Sequence, residues 1–206
     1  VDVTVRDVDV DGGARVVVAK THGSSVATRF VADGNTLTTT GGSEVAVLSA
    51  DGVLSVRNSL FVDNTLSSPS TAHVVSAAND LDLAFSTFVG NGGQGVPLVA
   101  ARAPLSGEIS SSVFADGPMD AEILMNAAVT VDWSDLWTSG TALVDPSLTP
   151  VVWSGMALDP QLDAGFRPLP GSPLIDAGDP TVLDRDLTRS DIGFTGGPSS
   201  PLPVPR

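Results

Sequence analysis

At 206 residues, with no cysteine, a single lysine and a formal charge of −14, the chain is long enough to bury a core without disulfides. The missing thiols exclude cysteine catalysis, zinc–thiolate sites and a bridged scaffold, while leaving the compartment open. The negative charge disfavours phosphate backbones and anionic membranes, so neither nucleic-acid binding nor membrane insertion is expected, and no stretch has the length of a transmembrane helix.

The acids are lopsided, 21 Asp against three Glu (Glu44, Glu108 and Glu122). Asp suits turns, where its short side chain bonds nearby backbone, whereas Glu is the better helix former. Abundant Gly and Pro, with much Val, Thr and Ser, point the same way: strands and turns. The sequence opens at Val1 in strand-like residues, without a Met or a leader. It therefore reads as a chain whose upstream part was removed, or as a piece of a longer protein.

Along the chain, Asp7-Val8-Asp9-Val10-Asp11-Gly12 matches the first half of a calcium loop, yet Val18 stands where a ligating Glu belongs. The plainer reading is an alternating strand ending in a Gly turn. Two partial repeats follow. One takes Val10 as its anchor, with Val3 and Val5 upstream and Gly13 downstream, and the other takes Phe30, with Thr28 upstream and Asp33 downstream.

From Val53 the repeat becomes regular. With Phe61, Phe88, Phe114 and Leu136 as anchors, spaced 27, 26 and 22 residues apart, four columns fall into register. Two residues before each anchor come Ser59, Ser86, Ser112 and Ser134; five before come Val56, Leu83, Ile109 and Val131. Seven before come Leu54, Leu81, Gly107 and Val129; three after come Asn64, Asn91, Gly117 and Ser139, most of them residues that accept the positive φ of a tight turn. Second strands are expected at 45–48, 73–75, 96–101, 121–125 and 141–144, with variable loops at 66–72 and 102–107. A period of this size predicts a solenoid, each coil stacking on the next at the ~4.8 Å strand spacing. The fold class is thus an all-β, parallel β-helix over 1–145. A β-sandwich predicts hairpins without aligned columns, and a leucine-rich repeat predicts an LxxLxLxxN pattern that is absent.

Beyond Gly140 the repeat gives way to a Pro-rich segment, expected to cap the same domain over 146–198 before a linker at 199–206. Its run Asp159-Pro160-Gln161-Leu162, Phe166 to Pro180 (FRPLPGSPLIDAGDP), Asp184-Arg185-Asp186 and Arg189-Ser190-Asp191-Ile192-Gly193, closed by Gly196-Gly197-Pro198, resembles the tail of bacterial right-handed parallel β-helix repeat proteins. The NSLFVDN-type repeats resemble the coils of the same family. The chain departs from the family pattern at Leu187, where Gly is usual, and at Phe194, where Ala is usual. The resemblance implies a right-handed β-helix, export to the cell surface or medium, and further segments of a longer chain. It implies no particular activity. A cap carrying Leu169, Leu174, Ile175, Ile192 and Phe194 is expected to cover the open end of the solenoid core.

The tail acids Asp176, Asp179, Asp184, Asp186 and Asp191 supply the hard oxygens calcium needs, the alternative being that they cap turns and pair with Arg185 and Arg189. Trp133, Trp137 and Trp153, near the last coil, are either a stacking platform for sugars or filler at the junction with the cap. His22 and His73 lack metal-ligand spacing. For a lyase, Arg57 and Arg102 are the only arginines in the later coils, and for a glycosidase Asp63 and Asp116 stand in nearby rows. No catalytic residue is singled out. The expected function is a non-catalytic extracellular module, a spacer or an adhesive surface for an extracellular polysaccharide or cell-surface protein. The alternatives are a polysaccharide lyase or glycosidase, and a carbohydrate-binding domain.

Overall fold

The structure is a computed structural model that describes residues 3–6, 9–12, 16–40, 45–69, 72–94, 98–102, 106–115, 121–123, 129–137 and 152–200. The described strands follow one another coil by coil. The first coil carries β1 (Val3–Arg6), β2 (Asp9–Gly12) and β3 (Val16–Thr21); the second carries β4 (Ser25–Thr28), β5 (Phe30–Asp33), β6 (Thr36–Thr39) and β7 (Val45–Ala50). The third has β8 (Leu54–Arg57), β9 (Leu60–Val62), β10 (Thr65–Ser67) and β11 (Ala72–Ala77); the fourth has β12 (Leu81–Ala84), β13 (Thr87–Val89), β14 (Gly92–Gln94) and β15 (Leu98–Arg102). Then come β16 (Gly107–Ser110), β17 (Val113–Ala115), β18 (Ala121–Ile123), the long β19 (Val129–Trp137) and β20 (Val152–Met156).

Every ladder between these strands is parallel and joins a strand to its counterpart one coil away. Four rows result: β4-β8-β12-β16-β19, β1-β5-β9-β13-β17-β19, β2-β6-β10-β14 and β3-β7-β11-β15-β18. The long β19 serves the first two rows with its two halves, and β20 pairs with β19 from Thr130 to Asp135, across the corner between them. The chain is a parallel β-solenoid.

Packing follows from the columns. Phe61, Phe88, Phe114 and Leu136 are direct cross-strand partners, as are Val56, Leu83, Ile109 and Val131. The rings of Phe61, Phe88 and Phe114 stack with centroids 4.6 and 4.7 Å apart and planes within 11° of parallel. Parallel in-register pairing makes such stacking the natural outcome, worth about 0.5–1.5 kcal/mol per pair beyond area burial.

The serine column forms a joint. At each corner between the first and second rows one residue adopts positive φ: Arg29, Asn58, Phe85, Ser111 and Trp133, at 47–56°. The hydroxyl of the following serine spans that corner. Ser59, Ser86, Ser112 and Ser134 each donate to the carbonyl two residues back and accept the backbone N–H of the coil before, from Phe30, Ser59, Ser86 and Ser112. Left-handed backbone costs a non-glycine residue about 1–2 kcal/mol, and these paired hydroxyl bonds offset it.

The asparagine column behaves differently from its sequence reading. Asn64 and Asn91 do not carry the positive φ; Gly34, Asp63 and Gly90, one residue earlier, do. The asparagines turn inward and form a buried ladder. Asn64 Oδ1 accepts Asn35 Nδ2 at 2.7 Å and Asn35 N at 3.3 Å, and Asn91 Oδ1 accepts Asn64 Nδ2 at 2.7 Å and Asn64 N at 3.2 Å. Gly117 and Ser139, the other members expected of this column, lie outside the described residues.

Two further expectations are corrected. The second coil anchors on Ala32, the partner of Phe61, and the first coil on Val5, the partner of Ala32; Phe30 instead stands opposite Val3, and Val10 opposite Leu37. Phe30 misled because its ring still reaches the Phe61 ring, 5.7 Å away and tilted, from a neighbouring column. The segment 66–72 is not simply a loop. Leu66 is fully buried in β10, part of a short third row whose three-residue strands are too brief to show alternation. The expected strands at 45–48, 73–75 and 121–123 are present, whereas 96–97, 124–125 and 141–144 lie outside the described residues.

The described residues of the cap lie along a flank rather than across an end. Residues 157–200, built of turns with two isolated antiparallel bridges, run back along the outer flank of the second row. Leu174 and Ile192 are fully buried, but against Val113 and Ala115 on the outside of β17. Leu169, expected beneath the lid, is 43% exposed. The physical reason lies in β17 itself: Val113-Phe114-Ala115 is apolar on both faces, so its outer face also needs cover.

Candidate functional site at the cap and solenoid junction

The residues at the positive-φ corners send their side chains away from the core, and four of them meet the cap. Asn58 Nδ2 donates to the carbonyls of Phe194 (3.1 Å) and Gly196 (2.6 Å). The Phe85 ring lies under Gly197, where a Cβ would come within 2.9 Å of it. Ser111 accepts Asp179 N on its hydroxyl and Gly193 N on its carbonyl. The Trp133 ring carries the Arg189 guanidinium, 5.3 Å from its centroid. Thr87 Oγ1 accepts Phe194 N at 3.0 Å, and Asp135 Oδ1 accepts Leu158 N at 3.0 Å. The cap is therefore a strap lying across the corners at residues 58, 85, 111 and 133.

Where the strap meets β19 and β20 a pocket of about 450 Å³ opens, lined by Trp133, Ser154, Gly155, Met156, Asp176, Ala177 and Arg189. Trp133 is 39% exposed. Arg189 is oriented by the strap's backbone, its Nε donating to Gly178 O at 2.8 Å and its Nη2 to Ala177 O at 3.1 Å. Ser154 Oγ donates to Asp132 Oδ1 at 2.6 Å, and Asp176 offers an exposed carboxylate from a positive-φ turn. The pocket thus combines an indole, a thioether, a glycine backbone, a carboxylate and a held guanidinium.

Among the described side chains, Trp133 is the tryptophan that lines this pocket. Trp137 packs under the strap beside Val113, Leu174 and Ile192, which is the filler role rather than the platform. Trp153 pairs with Val131 through its backbone, and its side chain lies outside the described residues. Sequence reasoning missed Arg189, Ser154 and Met156. The available signal was Trp133 standing immediately before a ladder serine, a corner position whose side chain faces outward.

The strap's five acids do not gather as a ligand set. Asp179 Oδ1 accepts Thr181 N and Oγ1, and Asp186 Oδ1 accepts Thr188 N and Oγ1. Asp191 Oδ1 accepts Asp176 N at 2.8 Å, while Asp184 accepts Asp191 N at 2.9 Å and also Gly197 N. Among the described residues no three acidic or histidine side chains converge to hold a metal ion. Asp7 lies outside the described residues, and Asp9 and Asp11 are strand residues of β2.

Burial marks three carboxyls at the junction. Asp135 is fully buried beneath the strap with no hydrogen-bond partner for Oδ2, and this desolvation pushes its pKa up to about 7, the nearby charge of Asp159 adding to the rise. Asp191 is pushed to about 6, chiefly by burial and further by the charges of Asp184, Asp176 and Asp186. Burial raises Asp184 as well.

The other candidates are dispersed. His22 is exposed and pairs with Asp51 at 2.9 Å, and Asp51 also meets Lys20 at 2.9 Å; the Lys20 ammonium foremost holds the Asp51 carboxyl below its usual value. His73 is fully buried in β11 between Ala46 and Val99. Arg57 pairs with Asp82 on the outer face of the first row. Asp63 occupies a turn, while Asp116 and the Arg102 side chain lie outside the described residues. No protein-family model matches the chain, and neither a curated protein nor a solved structure matches it.

Proposed function

We propose that the chain is a non-catalytic extracellular module of a larger surface protein of the bacterial right-handed β-helix repeat type, serving as a rigid spacer with an adhesive face. One observation carries this reading. The interior serine and asparagine columns are spent on joints between coils, and a strap ties the flank from residue 58 to residue 133. Such bonding stiffens a stack of coils that would otherwise be held only by neighbour-to-neighbour contacts. The resemblance of the FRPLPGSPLIDAGDP and RSDIG segments to the tails of that family supports the location and the larger parent chain. A partner in this reading is an extracellular polysaccharide or a cell-surface protein.

The test is incubation of the chain with acidic and neutral polysaccharides, with calcium and with chelator, following reducing ends and unsaturated-uronate absorbance. The expected result is retention on a polysaccharide without product. Product formation refutes the reading in favour of a lyase or glycosidase, and Asp63, Asp116 and Arg102 become the first residues to substitute. Retention that disappears with chelator points to a calcium requirement.

A further inference from the structure

We propose that the pocket between β19, β20 and the strap is the adhesive site, and that it takes a neutral sugar residue of a polysaccharide. The inference rests on the adhesive-module reading and adds to it a place and a ligand chemistry.

The size fits: about 450 Å³ lies within the roughly 300–1,000 Å³ of small-ligand sites. So does the mixture of groups. A pyranose ring has apolar C–H faces and a rim of hydroxyls, and it needs an apolar plane edged by fixed acceptors and donors. Trp133, still 39% exposed beside Arg189, and Met156 provide the apolar surface. Asp176 lines the pocket with an exposed carboxylate, an acceptor for a sugar hydroxyl, and Ser154 provides a hydroxyl already aligned by Asp132. Gly155 has no side chain, so a ligand can approach the β20 backbone closely.

The guanidinium of Arg189 is held on both sides, by the carbonyls of Gly178 and Ala177 and by the Trp133 ring. Its orientation is therefore settled before a ligand arrives, which lowers the ordering cost of binding. Charge decides between neutral and acidic sugars. A uronate would meet the Asp176 carboxylate in the pocket and a chain of net charge −14 around it. Neutral sugars avoid that repulsion.

The experiment is calorimetric titration of the whole chain with cellohexaose, xylohexaose, mannohexaose and galactohexaose, and with tetragalacturonate as the acidic counterpart, followed in parallel by tryptophan fluorescence. Two variants accompany it. Asp176→Asn keeps a residue that tolerates the positive φ but removes one acceptor and the charge, and Ser154→Ala removes the hydroxyl. The expected result is saturable binding of at least one neutral hexasaccharide, at least tenfold weaker in Asp176→Asn with an unchanged circular dichroism spectrum. Binding of none of the four neutral probes, preference for tetragalacturonate, or neutral binding untouched by both variants overturns the inference. In the last case, binding elsewhere on the chain leaves the adhesive reading standing. Release of shorter sugars during the titration defeats the adhesive reading itself.

Discussion

Asn64 shows how much one buried side chain can hold in a solenoid. Its Oδ1 satisfies two donors of Asn35, and its Nδ2 reaches both Asn91 Oδ1 and the carbonyl of Ala32. Truncation removes the acceptor of Asn35 Nδ2 and N and the donor to Ala32 O, while Asn91 Oδ1 keeps only the Asn64 backbone N–H, and a buried polar group that loses a bond costs more than the net gain of forming it. Asn64→Ala is therefore expected to lose about 3 kcal/mol, read as a lower denaturant midpoint at unchanged slope. Ser86→Ala, which deprives Ser59 N of its acceptor, is expected to lose about 1–2 kcal/mol. An Asn64→Ala chain as stable as the parent would mean that water replaces the ladder. The serine column could be read directly because all four of its members are serine. The asparagine column is legible in its position but not in its task, because Asn serves both positive φ and inward hydrogen bonding, and a single sequence does not separate the two.

At the scale of elements, the strap depends on glycine where it crosses the corners. Gly197 has φ +74° and sits against the Phe85 ring, and Gly193 has φ +103° with Thr87 Oγ1 2.8 Å from where a Cβ would stand. Gly197→Ala meets both backbone strain and a ring wedged in the core of the interface, and is expected to cost about 2 kcal/mol locally. Hydrogen exchange should report it: the amides of Gly193 and Phe194 speed up, while those of β9 and β13 keep their protection. Equal acceleration in the strands would show that strap and solenoid open as one unit. The strands carried a visible period because stacking demands similar residues at similar places, from Leu54 through Val131. The strap carried none. Its apolar residues were legible as cover, yet nothing local told that Leu174 and Ile192 meet Val113 and Ala115 on the flank rather than the end of the core. For the same reason the pocket was half legible: Trp133 and Asp176 stood out individually, and only the path of the strap brings Arg189 and Ser154 to them.

For the whole molecule, the buried carboxyls under the strap make stability depend on pH in a definite direction. Asp135 titrates near about 7 and Asp191 near about 6 in the folded chain, both above the ordinary value of 3.8. The folded state therefore holds protons that the unfolded chain has released. The contribution is complete below about pH 4 and is lost as pH rises through 6 and then 7. Repulsion within a chain of formal charge −14 acts in the same sense, so a falling melting temperature between pH 5 and 8 does not by itself implicate these groups. Asp135→Asn separates the two causes. Its amide keeps an oxygen for Leu158 N and removes the charge whose Oδ2 has no hydrogen-bond partner. Allowing for relaxation around the group, it is expected to stabilise the chain by about 2 kcal/mol at pH 8, roughly 4–8 °C in melting temperature, and to change little near pH 4. Parallel pH profiles for the parent and the variant would place the dependence in surface charge. Convergence near pH 4, with a gap that grows between about pH 4 and 7 and stays constant above, would place it at Asp135, and the strap would then be held most firmly in acid, where a protonated carboxyl lies buried between the cap and β19.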